Sequence, residues 1–123
     1  MANSARAKGT RWETELLEPL RALFGPQVER APLKGEADAG DFTGVPWLHE
    51  AKSTKVPRFL DWARTATAKA RRDNPADPSW VILWHGDRRA KDLGPCALMP
   101  LALYERITAG WGSPIPAEWA QTR

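Results

Sequence analysis

Apolar side chains along this chain fall into some segments spaced for helices and others spaced for strands. Over residues 10–24 they recur every three or four positions up to a Gly-Pro pair, which predicts a helix, with Pro19 expected to kink or restart it. Residues 57–72 repeat this spacing with small alanines, and Pro57 suits the first position of a helix. A third, shorter helix is predicted over residues 100–107.

Segments with strand character lie between these helices. Residues 79–84 are apolar on both faces, which is typical of a strand at the centre of a sheet. Residues 41–45 and 47–52 are close enough in the chain to form an antiparallel hairpin. Weaker strands are predicted over residues 27–31 and 94–99. This order predicts an α/β fold in which a small mixed central sheet of four to five strands is flanked by helices.

The length of 123 residues suits one domain over residues 1–123, and 42% apolar with 27% charged residues excludes wholesale disorder. Residues 1–9 are predicted to form a basic flexible arm and residues 110–123 an irregular tail. No apolar run approaches the roughly 20 residues of a membrane span, and the N-terminus does not resemble a signal peptide. We therefore expect a cytoplasmic protein with no membrane partner.

Charge is distributed unevenly along the chain, although the net charge is only +3. Residues 13–50 carry eight acidic side chains against three basic ones, whereas residues 52–72 carry seven basic side chains and one acidic one. Residues 1–12 add three basic side chains and no acidic one. An acidic centre between basic segments fits a metal site that acts on a polyanion. The same charges also fit ordinary solvated helix faces, and charge alone does not decide.

The first candidate constellation is Asp41 followed by Glu50-Ala51-Lys52. Because residues two apart in a strand share a face, Glu50 and Lys52 are predicted to project together, with Asp41 beside Glu50 on the neighbouring strand. Two carboxylates so placed suit Mg²⁺, which can supply a nucleophilic water, and an ammonium group can orient that water or stabilise phosphate charge. The alternative is the solvent face of an amphipathic strand.

A second candidate is Glu13, near the start of the first predicted helix. Thr10 and Glu13 have the spacing of a capping box, which gives Glu13 a purely structural role. Glu13 also shares the helix face of Leu16, Leu17 and Leu20, which directs its carboxylate into the molecule, where it needs a partner. It is therefore also a candidate for a third acidic group of the same site.

These residues resemble the archaeal-type Holliday junction resolvases of the PD-(D/E)XK nuclease superfamily. The resemblance rests on Lys8-Gly9-x-x-x-Glu13, Val28-Glu29-Arg30-Ala31-Pro32, a glycine-bearing loop, Asp41, and Glu50-Ala51-Lys52-Ser53. It implies a restriction-endonuclease-like three-layer core and a metal-dependent endonuclease. It also implies a homodimer that resolves four-way DNA junctions by paired symmetric hydrolysis of phosphodiester bonds.

The resemblance also implies roles for individual residues. Glu13, Asp41 and Glu50 would surround Mg²⁺ or Mn²⁺, the Ala51 carbonyl would ligate it, and Lys52 would assist the water. The chain departs from the family at Gly40, where proline is common, and in the loop Lys34-Gly35-Glu36, where a serine beside glycine is usual. DNA contacts are expected from Arg6, Lys8, Arg11, Arg30, Lys34, Ser53, Lys55, Arg58, Arg71 and Arg72.

Other interpretations of the same residues are a nuclease of this fold acting on other branched or linear DNA, and a DNA-binding module that does not cleave. Neither histidine has metal-ligand spacing. His49 is expected to be packed or hydrogen-bonded on the strand face opposite Glu50, and His85 to end the central strand.

Overall fold

The computed structural model describes residues 2–32, 40–86 and 92–110, with side chains from Gly9 onward. Within these residues the chain is an α/β protein with three helices and two sheets, one of two strands and one of three. The elements are α1 (Ala2–Phe24), β1 (Glu29–Arg30), β2 (Phe42–Thr43), β3 (Leu48–Ser53), α2 (Phe59–Asp73), β4 (Trp80–His85), β5 (Cys96–Leu98) and α3 (Leu101–Ala109).

The first helix differs from its prediction at its start. α1 begins at Ala2, so residues 2–9 are helical where a flexible basic arm was expected, and Thr10 lies inside the helix rather than at its cap. The segment before Gly9 is rich in alanine with Arg and Lys, which are strong helix formers, and this accounts for the extension. α1 also continues through Pro19, so the helix does not restart there. The prediction of a capping box at Thr10 is therefore wrong.

The three-stranded sheet has the order β3-β4-β5. β3 and β4 are parallel and are connected through α2, whereas β4 and β5 are antiparallel. The prediction that residues 79–84 form a central strand is confirmed, since β4 pairs on both sides and Ile82 is fully buried. Because β3 and β4 run in the same direction, α2 must return antiparallel to both of them.

The predicted hairpin between β2 and β3 is wrong. β2 pairs instead with β1, in a separate antiparallel sheet. β2 still lies next to β3, because the Asp41 N–H donates a hydrogen bond of 2.9 Å to the His49 carbonyl. Asp41 therefore reaches the free edge of β3 without a continuous ladder between the two strands.

A hydrophobic cluster lies on each face of the three-stranded sheet. On the α1 side, Ala51 and Leu83 pack against a cluster formed by Trp12, Leu16, Leu20, Val28 and Phe42. On the α2 side, the cluster consists of Leu48, Ala66, Ala70, Trp80 and Ile82. The small Ala66 and Ala70 side chains are buried and let α2 approach the sheet closely. Among the described helices, none is both long enough and apolar enough to cross a membrane.

Candidate active site

Asp41 is fixed at the edge of β3 by three hydrogen bonds. Its N–H donates to the His49 carbonyl at 2.9 Å, and its carbonyl accepts from the Ala31 N–H at 2.9 Å. Its carboxylate Oδ2 accepts from the Ala51 N–H at 2.7 Å. Backbone and side chain of Asp41 therefore both bind β3, and the carboxylate is placed next to Glu50.

Gly40 makes this close approach possible. Its φ of +100° lies in the region that L side chains rarely adopt, and a Cβ there would come within 2.7 Å of Leu48 Cδ1 and 2.9 Å of the His49 carbonyl oxygen. Proline, whose ring fixes φ near −65°, cannot take this conformation. Glycine is thus required at this position, because the chain needs this φ and this close approach to bring Asp41 against β3.

Glu50 is the most buried carboxyl among the described residues, with a relative exposure of 6%. Lys69 Nζ lies 2.8 Å from its Oε1. Burial raises the pKa of Glu50 from 4.5 to about 7, an effect that Lys69 opposes and the nearby Asp41 charge reinforces. A hydrogen bond between the two carboxyls raises the pKa of Glu50 and lowers that of Asp41, so Glu50 is the member of the pair that holds the proton.

The third predicted carboxyl, Glu13, lies on α1 and faces the same region. Burial raises its pKa, the Arg30 charge opposes this, and the Glu50 charge adds to it. Arg30 Nε lies 3.8 Å from Glu13 Oε1, an ion pair too long for a hydrogen bond, and this buried nitrogen has no hydrogen-bond partner. The pKa of Asp41 is also raised, first by burial and in part by the Glu13 charge. The three carboxyls therefore share one electrostatic environment.

Lys52 follows Glu50 on the same face of β3, as strand alternation predicts. Its Nζ lies 5.8 Å from the centre of the Trp62 ring, within the range of a cation–π contact. The Lys52 charge also lowers the pKa of Asp41. The ammonium group is therefore close enough to influence the carboxylates while it rests against an aromatic ring of α2.

The side chains of this site meet some, but not all, of the requirements for binding a hard divalent cation. Asp41 and Glu50 are in contact and offer the carboxylate oxygens that Mg²⁺ prefers. Across residues 2–32, 40–86 and 92–110, however, no group of three or more His, Cys, Asp or Glu side chains is arranged to hold a metal ion. Glu13 lies near Arg30, and Glu50 contacts Lys69, so two of the three carboxyls already have a basic side chain as a neighbour.

The residues predicted to bind DNA are not gathered at one place. Arg11 is exposed on α1, and Lys55 and Arg58 are exposed just before α2, whereas Arg71 and Arg72 are exposed in its last turn. With 15 residues, α2 separates these two pairs by about 20 Å. Ser53 ends β3 and is half-buried. The side chains of Arg6 and Lys8, and the loop with Lys34-Gly35-Glu36, lie outside the described parts of the chain.

His49 conforms to its prediction. It is buried at 2% exposure, its Nδ1 lies 2.7 Å from the Trp47 carbonyl, and its ring contacts Phe24 edge-on. Burial lowers its pKa. His49 is thus a neutral packing residue on the opposite face of β3 from Glu50.

The sequence did not predict that Lys69 and Trp62 would lie at this site. Both lie on the face of α2 that looks toward β3, seven residues and therefore about two turns apart. The available signal was a lysine placed three residues after the buried Ala66 and next to the buried Ala70. A lysine within an apolar stripe indicates an acidic partner across the interface.

Comparisons of the chain with protein-family models, curated proteins and solved structures find no match. Its function is therefore inferred from the geometry and chemistry of its own residues.

Proposed function

We propose that this protein is a metal-dependent DNA endonuclease of restriction-endonuclease-like fold that resolves four-way junctions as a homodimer. The observation that carries the proposal is the contact between the Asp41 and Glu50 carboxyls at the edge of β3, with Lys52 on the same strand face. Glu13 adds a third carboxyl in electrostatic reach. The resemblance of the motif order to the junction resolvases supplies the reaction class.

In this proposal Asp41 and Glu50 hold Mg²⁺, which Mn²⁺ can replace, and Glu13 and the Ala51 carbonyl complete the ligand set. When bound, the cation supplies Lewis-acid activation of a water and of the scissile phosphate. Lys52 stabilises the negative charge that develops on the phosphate. The raised pKa values of the carboxyls favour this role, because neighbouring buried carboxylates gain most from a cation that removes their repulsion.

Two further elements of the proposal rest on the resemblance and on symmetry. A two-fold dimer presents two sites to strands related by the junction's own symmetry, which allows paired nicks. The basic residues at the two ends of α2 would bind separate phosphate groups of such a branched substrate. The proposed setting is the cytoplasm of a prokaryotic or phage-infected cell.

The test uses a synthetic four-way junction and a linear duplex of matched sequence, each incubated with Mg²⁺ or with a chelator. We expect symmetric nicks in the junction with Mg²⁺ only. Asp41→Asn and Lys52→Ala should abolish cleavage while junction binding changes only a few-fold. Asp77→Asn is the matched control, because Asp77 pairs with Arg106 and is not part of the site. Normal cleavage by purified Asp41→Asn would refute the assignment.

The same experiment separates the rival functions. Linear duplex cut as fast as the junction would favour a general nuclease with the same site residues. Binding without cleavage under any divalent cation would favour a binding module. Analytical ultracentrifugation tests the dimer independently, since a particle of a single chain mass would contradict it.

A further inference from the structure

Lys69 lies against the candidate site because of the way α2 crosses β3. Since α2 runs antiparallel to β3, its later residues lie over the earlier residues of the strand. Trp62 therefore meets Lys52, and Lys69 meets Glu50. The topology places two lysines at this site, one from the strand and one from the helix.

The contact between Lys69 and Glu50 is tight and shielded from water. Nζ lies 2.8 Å from Oε1, and the two side chains are 21% and 8% exposed. Glu50 is buried and Lys69 is half-buried, so when Glu50 is ionised each charge is partly desolvated and the contact with the other offsets that cost. Lys69 thus contacts a carboxylate oxygen that a metal ion would need. A metal ion bound to Glu50 would lie close to the positive charge of Lys69 and be repelled by it.

We propose that Lys69 is an internal counter-cation that competes with the divalent metal ion for Glu50 and keeps metal affinity low until a DNA phosphate binds the ammonium group. The inference rests on the proposed metal-dependent function. An ammonium group and a divalent cation that share one buried carboxylate repel each other strongly, because the surroundings screen charge poorly. A phosphate that draws Lys69 away removes this repulsion, so DNA and metal ion would each strengthen the binding of the other.

The competition is measurable without turnover. Mg²⁺ affinity would be determined by isothermal titration calorimetry on DNA-free protein at pH 9, where carboxylates are ionised. We expect Lys69→Met to bind Mg²⁺ more tightly than the wild type, within the factor of about 5 to 150 typical of coupled sites. Lys69→Arg, which keeps the positive charge, should stay close to the wild type. Arg64→Met is the matched control, because Arg64 is an exposed basic residue of the same helix and lies outside the Glu50 contact.

Two further measurements complete the test. In wild-type protein, the chemical shift of Lys69 Cε should change progressively as Mg²⁺ is added, while that of Lys55 should not. The Lys69 signal is assigned by comparison with Lys69→Arg. A non-cleavable junction with phosphorothioate linkages at the cut positions should raise Mg²⁺ affinity of the wild type but much less that of Lys69→Met. The NMR measurement tests the idea even if Lys69→Met does not fold.

The outcomes separate this inference from the proposed function. Equal or weaker Mg²⁺ binding by folded Lys69→Met, or an unmoved Lys69 signal at saturating Mg²⁺, overturns the counter-cation role while metal binding itself stands. If the wild type and every variant bind no divalent cation with or without DNA, the proposed function fails and the inference fails with it.

Discussion

Replacing Glu50 with glutamine should make the folded protein more stable at high pH. The Glu50 carboxyl is buried, and its pKa is raised from 4.5 to about 7 in the folded state. Glutamine has the same shape and no charge to desolvate. Its carbonyl oxygen can accept from Lys69, and its amide can donate to Asp41, so both hydrogen bonds of the protonated glutamic acid survive.

The sign and size follow from proton linkage. Between pH 4.5 and about 7 the folded state holds a proton on Glu50 that the unfolded state has lost, so wild-type stability falls as pH rises through this window. At about 1.4 kcal/mol for each pH unit, the full loss amounts to about 3 kcal/mol. Asp41 and Glu13, whose pKa values are also raised, act in the same direction, and His49, with a lowered pKa, acts in the opposite one. His49 is unaffected by the substitution, whereas Asp41 and Glu13 interact with Glu50, so the difference between the two proteins reports Glu50 together with its coupling to these two carboxyls.

The measurement is urea denaturation of wild type and Glu50→Gln from pH 5 to pH 9 with a chelator present. We expect similar free energies of unfolding at pH 5 and an advantage for the variant that grows to about 3 kcal/mol above pH 8. Adding Mg²⁺ at pH 9 should restore stability to the wild type and not to the variant. Parallel stability curves across the whole range would show that Glu50 is not a buried carboxyl with a raised pKa.

Three other outcomes are expected. Glu13→Gln should reduce single-turnover cleavage strongly and leave the midpoint of the thermal melt nearly unchanged, because this residue lies inside α1 and caps nothing. A lower melting midpoint together with normal cleavage by the folded fraction would contradict this. Gly40→Ala should cost about 1 kcal/mol or more beyond Gly94→Ala in denaturant titrations, since both glycines have positive φ but only the first has close neighbours; equal costs would argue against a clash with β3. Replacing Arg71 and Arg72 with alanine should reduce the log–log salt slope of duplex binding by about 0.9 for each phosphate that these side chains neutralise, and an unchanged slope would place the DNA elsewhere.

Sequence patterns predicted the elements of this fold better than the pairing between them. β4 was identifiable because it is apolar on both faces, and α2 because its small residues repeat at helical spacing. The pairing of β2 with β1 was not predictable from spacing, because a two-residue strand carries almost no periodic signal. The start of α1 was misplaced because the Thr10 and Glu13 pattern of a capping box outweighed the helix propensity of the alanine-rich segment before it.

The site was predictable where one strand determines it and unpredictable where two elements meet. Alternation along β3 placed Glu50 and Lys52 on one face, as in the structure. Asp41 does lie beside Glu50, but through its own contacts with the edge of β3 and not through the predicted hairpin. The pairing of Lys69 with Glu50 depends on the direction in which α2 crosses the sheet, 19 residues later in the chain. Such contacts require the topology, which residue types alone do not supply.

The attachment of Asp41 to β3 also bears on whether the protein stays soluble. β3 ends the three-stranded sheet, and the unpaired N–H and C=O groups of such a strand are a template on which another molecule can add a strand and begin aggregation. Asp41 occupies both the His49 carbonyl and the Ala51 N–H, so it blocks this template at its middle. Asparagine keeps an oxygen for the Ala51 N–H, whereas alanine exposes it. Asp41 thus covers this part of the edge with its backbone N–H and its side chain, and we expect Asp41→Ala to precipitate on concentration where Asp41→Asn does not.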